Sequence, residues 1–139
     1  LEAGRCGWIF RPLDGAAMRE AAQALLGEHD FSSFRAAGCQ ARSPVKTLRG
    51  AEVTRQGAYW RFDFDASAFL YHMVRNIVGC LVAVGTGARA PGWMAEVLAA
   101  RSRDAAAPTF AAEGLYFVGP YYDARHAIPV HTPSMEWMP

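Results

Sequence analysis

Tyr59-Trp60-Arg61-Phe62-Asp63-Phe64-Asp65-Ala66 alternates strictly, and just beyond it the chain changes period, in Phe69-Leu70-Tyr71-His72-Met73-Val74-Arg75-Asn76-Ile77-Val78-Gly79-Cys80-Leu81-Val82. The first run sets Trp60, Phe62 and Phe64 on one face and Tyr59, Arg61, Asp63 and Asp65 on the other. That is a half-buried antiparallel strand. The second run places Phe69, Leu70, Met73, Val74, Ile77, Val78, Leu81 and Val82 at helical spacing for about four turns. Ser67 is a suitable cap for this helix, and Gly85-Thr86-Gly87 ends it. A helix this apolar nearly all round needs cover on more than one side. The helix over 67–84 and the Trp60/Phe62/Phe64 face are therefore expected to share one core.

Working outward, Val45 to Arg55 reads as a strand, and the Gln56-Gly57 turn makes it a hairpin with the 59–65 strand. Upstream, Asp14 caps a helix at about 15–26 with Met18, Ala21, Ala22, Leu25 and Leu26 inside, and Gly27 at its C-terminal end. Gly7-Trp8-Ile9-Phe10 reads as a strand or its end, and residues 28–44 as a loop with one turn. Downstream, Pro91 opens a third helix that ends near Arg101, and Gly114 to Val118 reads as a closing strand. The tail after Pro129, residues 130–139, is expected to be poorly ordered. The predicted class is α+β, an antiparallel sheet with helices packed on one face, in a single domain over 1–129.

Composition narrows the possibilities further. With 139 residues, 52% hydrophobic and 19% charged, the chain can bury a real core, unlike a disordered tail. The longest apolar run, Ile77–Gly85, is nine residues, too short for a membrane span. No secretory leader is read at the start, Leu1-Glu2-Ala3-Gly4-Arg5, which lacks a following apolar stretch; a start without Met fits a piece of something longer. Cys6, Cys39 and Cys80 have no CxxC spacing, so they read as reduced thiols.

Net charge is +1, but six basic residues, Arg35, Arg42, Lys46, Arg49, Arg55 and Arg61, cluster around the single acid Glu52. Interleaved with Phe34, Tyr59 and Trp60, they are the ingredients of a surface for single-stranded or loop RNA, though a solvated charged face uses the same ingredients. No phosphate-binding glycine loop and no paired-His metal spacing occurs, while Asp63 and Asp65 could bind a metal or simply be solvated acids on an exposed sheet face.

The chemical anomaly lies on the apolar helix, where His72, Arg75 and Gly79 share a stripe. Arg75 either reaches solvent at a helix end or faces a cleft and holds an anion there. Asp63 and Asp65 on the neighbouring strand are candidate partners; so are a phosphate and a group from elsewhere in a longer protein.

Ala68-Phe69-Leu70-Tyr71-His72-Met73-Val74-Arg75-Asn76-Ile77-Val78-Gly79 resembles the signature helix of the tRNA pseudouridine synthase A family. His29-Asp30-Phe31-Ser32-Ser33-Phe34-Arg35, Ser43-Pro44-Val45-Lys46-Thr47-Leu48 and Ala112-Glu113-Gly114-Leu115-Tyr116-Phe117-Val118 resemble three further stretches of its C-terminal half, in the right order. The resemblance implies one half of a pseudouridine synthase fold. It implies a cytoplasmic, homodimeric isomerase that converts uridines 38–40 of the tRNA anticodon stem-loop to pseudouridine without a cofactor. The family's nucleophile is an Asp in an Arg-Thr-Asp-Ala-Gly type of motif, which does not occur here. By resemblance, then, Arg75 pairs with an Asp of the absent N-terminal half, and Leu115 lines the cleft beside the base. Arg35, Arg42, Lys46, Arg49 and His72 are the candidates for RNA contact. Alone, the chain is expected to be inactive; a stand-alone RNA-binding module without catalysis is the alternative.

Overall fold

A computed structural model describes residues 6–119. The element order is α1 (Gly15–Gln23), β1 (Gly27–Asp30), a 3-10 turn (Ser32–Phe34), β2 (Val45–Gln56), β3 (Tyr59–Ala66), α2 (Met73–Gly85), α3 (Trp93–Ala100) and a second 3-10 turn (Arg103–Ala105). The strands form one antiparallel sheet in the order β1-β2-β3, and the helices pack on it, giving the α+β class read from the pattern.

The hairpin forms as expected, with Gln56 opposite Tyr59. Phe62 and Phe64 pack against the core, while the ring of Trp60 lies against Gly15 at the start of α1, where a Cβ would sit 2.6 Å from it. One detail escapes the alternation. The register shifts between Leu48 and Gly50, so Arg49 is an extra residue in the ladder. A bulge of this kind swaps which parity faces inward. Leu48 before it and Ala51 and Val53 after it are consequently all buried.

α1 starts where Asp14 accepts the Ala17 N–H at 3.1 Å. Its last regular residue is Gln23, and tighter turns carry the chain through Leu26. Gly27, at φ +100, then enters β1. α1 docks on the end of α2: the Asp14 N–H donates to Gly85 O at 2.8 Å, and a Cβ on Gly85 would meet Met18 Sδ at 2.7 Å.

Several expectations are corrected. Ser67 does not cap α2; it exchanges hydrogen bonds with the backbone of Thr47 and so closes the sheet. The helix begins only at Met73, because His72 stands in the left-handed region at φ 59, which a right-handed helix cannot include. Residues 27–30 are a short strand on the edge of β2, not a loop. Neither Gly7–Phe10 nor Gly114–Val118 forms a strand, since neither has a ladder partner among the described residues. These two segments instead lie near one another: a Cβ on Gly114 would be 2.8 Å from Cys6 Cα. Pro91 precedes α3 in a turn and does not open its first helical position. The tail of 130–139 falls outside the described residues.

The core is built from Leu25, Phe31, Phe34, Leu48, Met73, Ile77, Leu81, Val84, Met94 and Val97, among others. Two polar side chains are buried with them. Ser33 donates to Val97 O and accepts the Ser102 N–H at 3.0 Å, which ties the first 3-10 turn to α3 and to the residue just beyond it. Asn76 donates to Phe34 O at 2.8 Å and accepts from Thr109 Oγ1 at 2.7 Å and Arg103 Nη2 at 3.1 Å. No helix among the described residues is long and apolar enough to cross a membrane.

Replacing Asn76 with Ala strands Phe34 O and frees two donors on the other side. We expect a loss of roughly 2–4 kcal/mol with an unchanged urea m-value. A urea titration showing less than about 1 kcal/mol would mean that water replaces the amide without cost.

Candidate active-site cleft around Arg75

Arg75 sits in the first turn of α2, half-buried. Its Nε donates to Phe110 O at 2.8 Å, and the Phe110 N–H donates to Arg75 O at 3.2 Å. The residue thus clasps an extended strap, residues 106–110, against the helix. The strap continues along the same stripe. The Ala107 N–H reaches Cys80 Sγ at 3.3 Å, and Pro108 O passes so close to Gly79 that a Cβ there would lie 2.4 Å from it. Arg103 Nη1 holds Ala107 O at 3.0 Å, and Thr109 is fixed to Asn76. Glycine at 79 is therefore a packing requirement on this face.

The other edge of the guanidinium meets His72, Nη1 to Nε2 at 3.2 Å. The His72 ring stacks on Tyr71, with centroids 3.9 Å apart and 29° between the planes. The Tyr71 backbone is in turn fixed by the loop after Phe34: its carbonyl accepts the Ala36 N–H at 3.1 Å, and its N–H donates to Cys39 Sγ at 3.4 Å.

Arg75 has no ion-pair partner among the described residues. The two acids considered for it are engaged elsewhere. Asp65 binds Arg49 at 2.8 Å and Asp63 binds Arg61 at 2.9 Å. A guanidinium offers five N–H donors. With Nε on Phe110 and one Nη1 hydrogen on His72, three donors are left unassigned.

The other sequence candidates separate by role. Arg35 turns its guanidinium onto its own loop, to Ala41 O at 2.6 Å and Cys39 O at 3.3 Å. Arg49 is paired with Asp65 and Ala66 O. Arg42 is exposed and Lys46 is half-buried, opposite His29 in the ladder; neither has an ion-pair partner among the described residues. Leu115 lies five residues beyond Phe110 and is half exposed, in a stretch where Tyr116, Phe117 and Val118 are also exposed. The structure joins Arg75 to His72 directly, and neither shares a hydrogen bond or ion pair with Arg42, Lys46 or Leu115. Among the described residues, no group of three or more His, Cys, Asp or Glu is gathered as a metal cage would require.

Asn76 stands out in the sequence as a polar interruption of the apolar helix, while Phe110, Thr109 and Arg103 do not. The available signals were weak ones: a glycine inside a helix, which marks close approach of another backbone, and a lone Asn in an apolar run.

A model of the tRNA pseudouridine synthase family matches residues 21–123, most of the chain. The chain belongs to the tRNA pseudouridine synthase family. It is 66% identical over 139 residues to the tRNA pseudouridine synthase A of Methylibium petroleiphilum, covering all of this chain and 54% of that protein. It is 60% identical over 143 residues to the enzyme of that name from Polaromonas naphthalenivorans, again covering 54% of it. The corresponding protein of Delftia acidovorans is 55% identical over 161 residues, with 57% of it covered. The chain thus spans a little over half the length of these synthases.

The thiols bonded to Tyr71 and to the strap are unequal. The Tyr71 N–H on Cys39 Sγ, then the Ala41 N–H and the nearby Arg35, lower the pKa of that thiol, whereas burial raises that of Cys80. The thiolate is the reactive form. Iodoacetamide at about pH 7.5 should therefore alkylate Cys39 well before Cys80, as read by peptide mass mapping. Equal rates would contradict the environments described.

Proposed function

We propose that this chain is the C-terminal half of a tRNA pseudouridine synthase that isomerises uridines in the tRNA anticodon stem-loop, in the cytoplasm and as a homodimer. The observation that carries the reading is Arg75: half-buried, held on two edges by its own domain, and without a carboxylate among the described residues. A charge at a half-buried site is costly unless it is paired. The family's nucleophilic Asp, supplied by the other half, is the natural partner. The guanidinium then keeps that carboxylate ionised and aimed at the flipped uridine.

The isomerisation breaks the N1–C1′ bond and makes a C5–C1′ bond, with the proton on C5 lost and one gained at N1. A carboxylate adding at C1′ or at C6 provides the covalent step, so its protonation state is decisive. No cofactor is required by this chemistry. Leu115 is assigned to the wall of the cleft beside the base. Trp8, Phe10, Leu115 and Phe117 are large apolar side chains left exposed, which suits a surface that the other half covers. For the tRNA backbone, Arg42 and Lys46 are the strongest of the basic candidates, since Arg35 and Arg49 are already engaged.

This chain alone should leave unmodified tRNA unchanged, as read by pseudouridine-specific primer extension across the anticodon arm. Turnover by the chain would place the nucleophile within it and overturn the assignment. In the full-length enzyme, Arg75→Ala should lower the rate by about 10²–10⁴-fold, as for a lost pair worth roughly 3–5 kcal/mol. In the isolated chain the same change should cost only about 1–2 kcal/mol of stability, the value of its local hydrogen bonds.

A further inference from the structure

Arg75 is useful to a carboxylate only if its plane points the right way. One hydrogen bond, Nε to Phe110 O, leaves a guanidinium free to pivot about the N–H···O axis. A second bond on a different edge removes that freedom. His72 makes it, Nη1 to Nε2 at 3.2 Å. Guanidinium nitrogens only donate. The His72 Nε2 must therefore accept, which puts the ring proton on Nδ1.

Three features hold this acceptor in place. His72 is in the left-handed region, at φ 59 and ψ 11, and its side chain makes no capping bond. The ring stacks on Tyr71 at 3.9 Å. The Tyr71 backbone is bonded at both its N–H and its C=O to the loop over 36–39. A left-handed conformation is uncommon outside glycine, with Asn, Asp and His among those that tolerate it best. Here it swings the imidazole to the edge of the residue one turn along the helix.

We propose that His72 is a positioning residue for the reaction: its neutral Nε2 fixes the plane of the Arg75 guanidinium against the nucleophilic carboxylate. This differs from the tRNA contact expected of it from the sequence. It rests on the reading of Arg75 as the partner of that carboxylate. Misplacing such a group by about 1 Å costs on the order of 10²-fold in rate.

The test uses the full-length synthase with three variants, His72→Leu, His72→Gln and His72→Asn, and measures kcat and KM on unmodified tRNA together with Tm. Gln carries an acceptor at about the reach of Nε2 but has no preference for the left-handed backbone. Asn keeps that backbone preference but its side chain is too short to reach Arg75. We expect His72→Leu and His72→Asn to lower kcat by about 10²-fold with KM changed by less than about threefold, and His72→Gln to stay within about tenfold of the parent. The reverse order, with Asn active and Gln not, would make His72 a backbone residue only. A rise in KM at unchanged kcat would make it a tRNA contact. Either result overturns the proposal, as does near-normal kcat in all three. If His72→Leu fails to fold, the order of Gln and Asn decides alone. Arg75→Ala, run in parallel, separates this inference from the one beneath it. A normal rate for Arg75→Ala defeats the reading of Arg75 itself, whereas a dead Arg75→Ala beside a fully active His72→Leu defeats only the positioning role.

Discussion

A carboxamide buried at 0% exposure must find a partner for each polar atom, and Asn76 finds them in the first 3-10 turn, at Phe34, and in the stretch from the second 3-10 turn to the strap, at Arg103 and Thr109. Its Nδ2 holds the carbonyl of Phe34, and its Oδ1 gathers Thr109 and Arg103. The loop after Phe34 and the strap at 106–110 are thereby fixed to one turn of α2, and Arg75 stands next to that residue in the chain. The loop supports Tyr71, which carries His72; the strap supplies Phe110. Both edges of the guanidinium are thus set by elements that Asn76 anchors.

This arrangement explains why an apolar helix carries a polar stripe. Gly79 and Arg75 receive the strap, glycine giving it room and Arg75 bonding its carbonyl, while His72 bonds the other edge of the guanidinium. The charge is left part-satisfied by neutral acceptors, which hold its position without cancelling it. Arg49 and Arg61 are the opposite case: Arg49 has a carboxylate on the adjoining strand, Asp65, and Arg61 has one two residues along its own strand, Asp63.

Much of this was legible in the residues. The change of period after Asp65 located the hairpin and the long helix, because alternation and helical spacing are properties of local sequence. The joint placement of His72 and Arg75 followed from the same spacing, and the motifs in order pointed to the family. What escaped depends on neighbours. β1 is four residues, Gly-Glu-His-Asp, with no apolar pattern, and exists only because β2 offers it an edge. The bulge at Arg49 is a property of two strands together. Ser67 looked like a cap because caps and strand ends favour the same side chain, and only the pairing with Thr47 distinguishes them. The strap, Ala-Ala-Pro-Thr-Phe, has no period to read. The stretch Gly114–Val118 has the composition of a strand, but a strand also needs a partner, and the described part of this chain holds none for it.

Among the described residues Arg75 lacks the carboxylate proposed for it, so the deciding measurement is a high-resolution structure of the full-length synthase. A carboxylate from the half not contained in this chain should lie within about 3 Å of the unassigned Arg75 nitrogens, with the bonds to Phe110 O and His72 Nε2 kept. A guanidinium that in the full-length protein bonds only within this domain, or turns to solvent, would contradict this pairing.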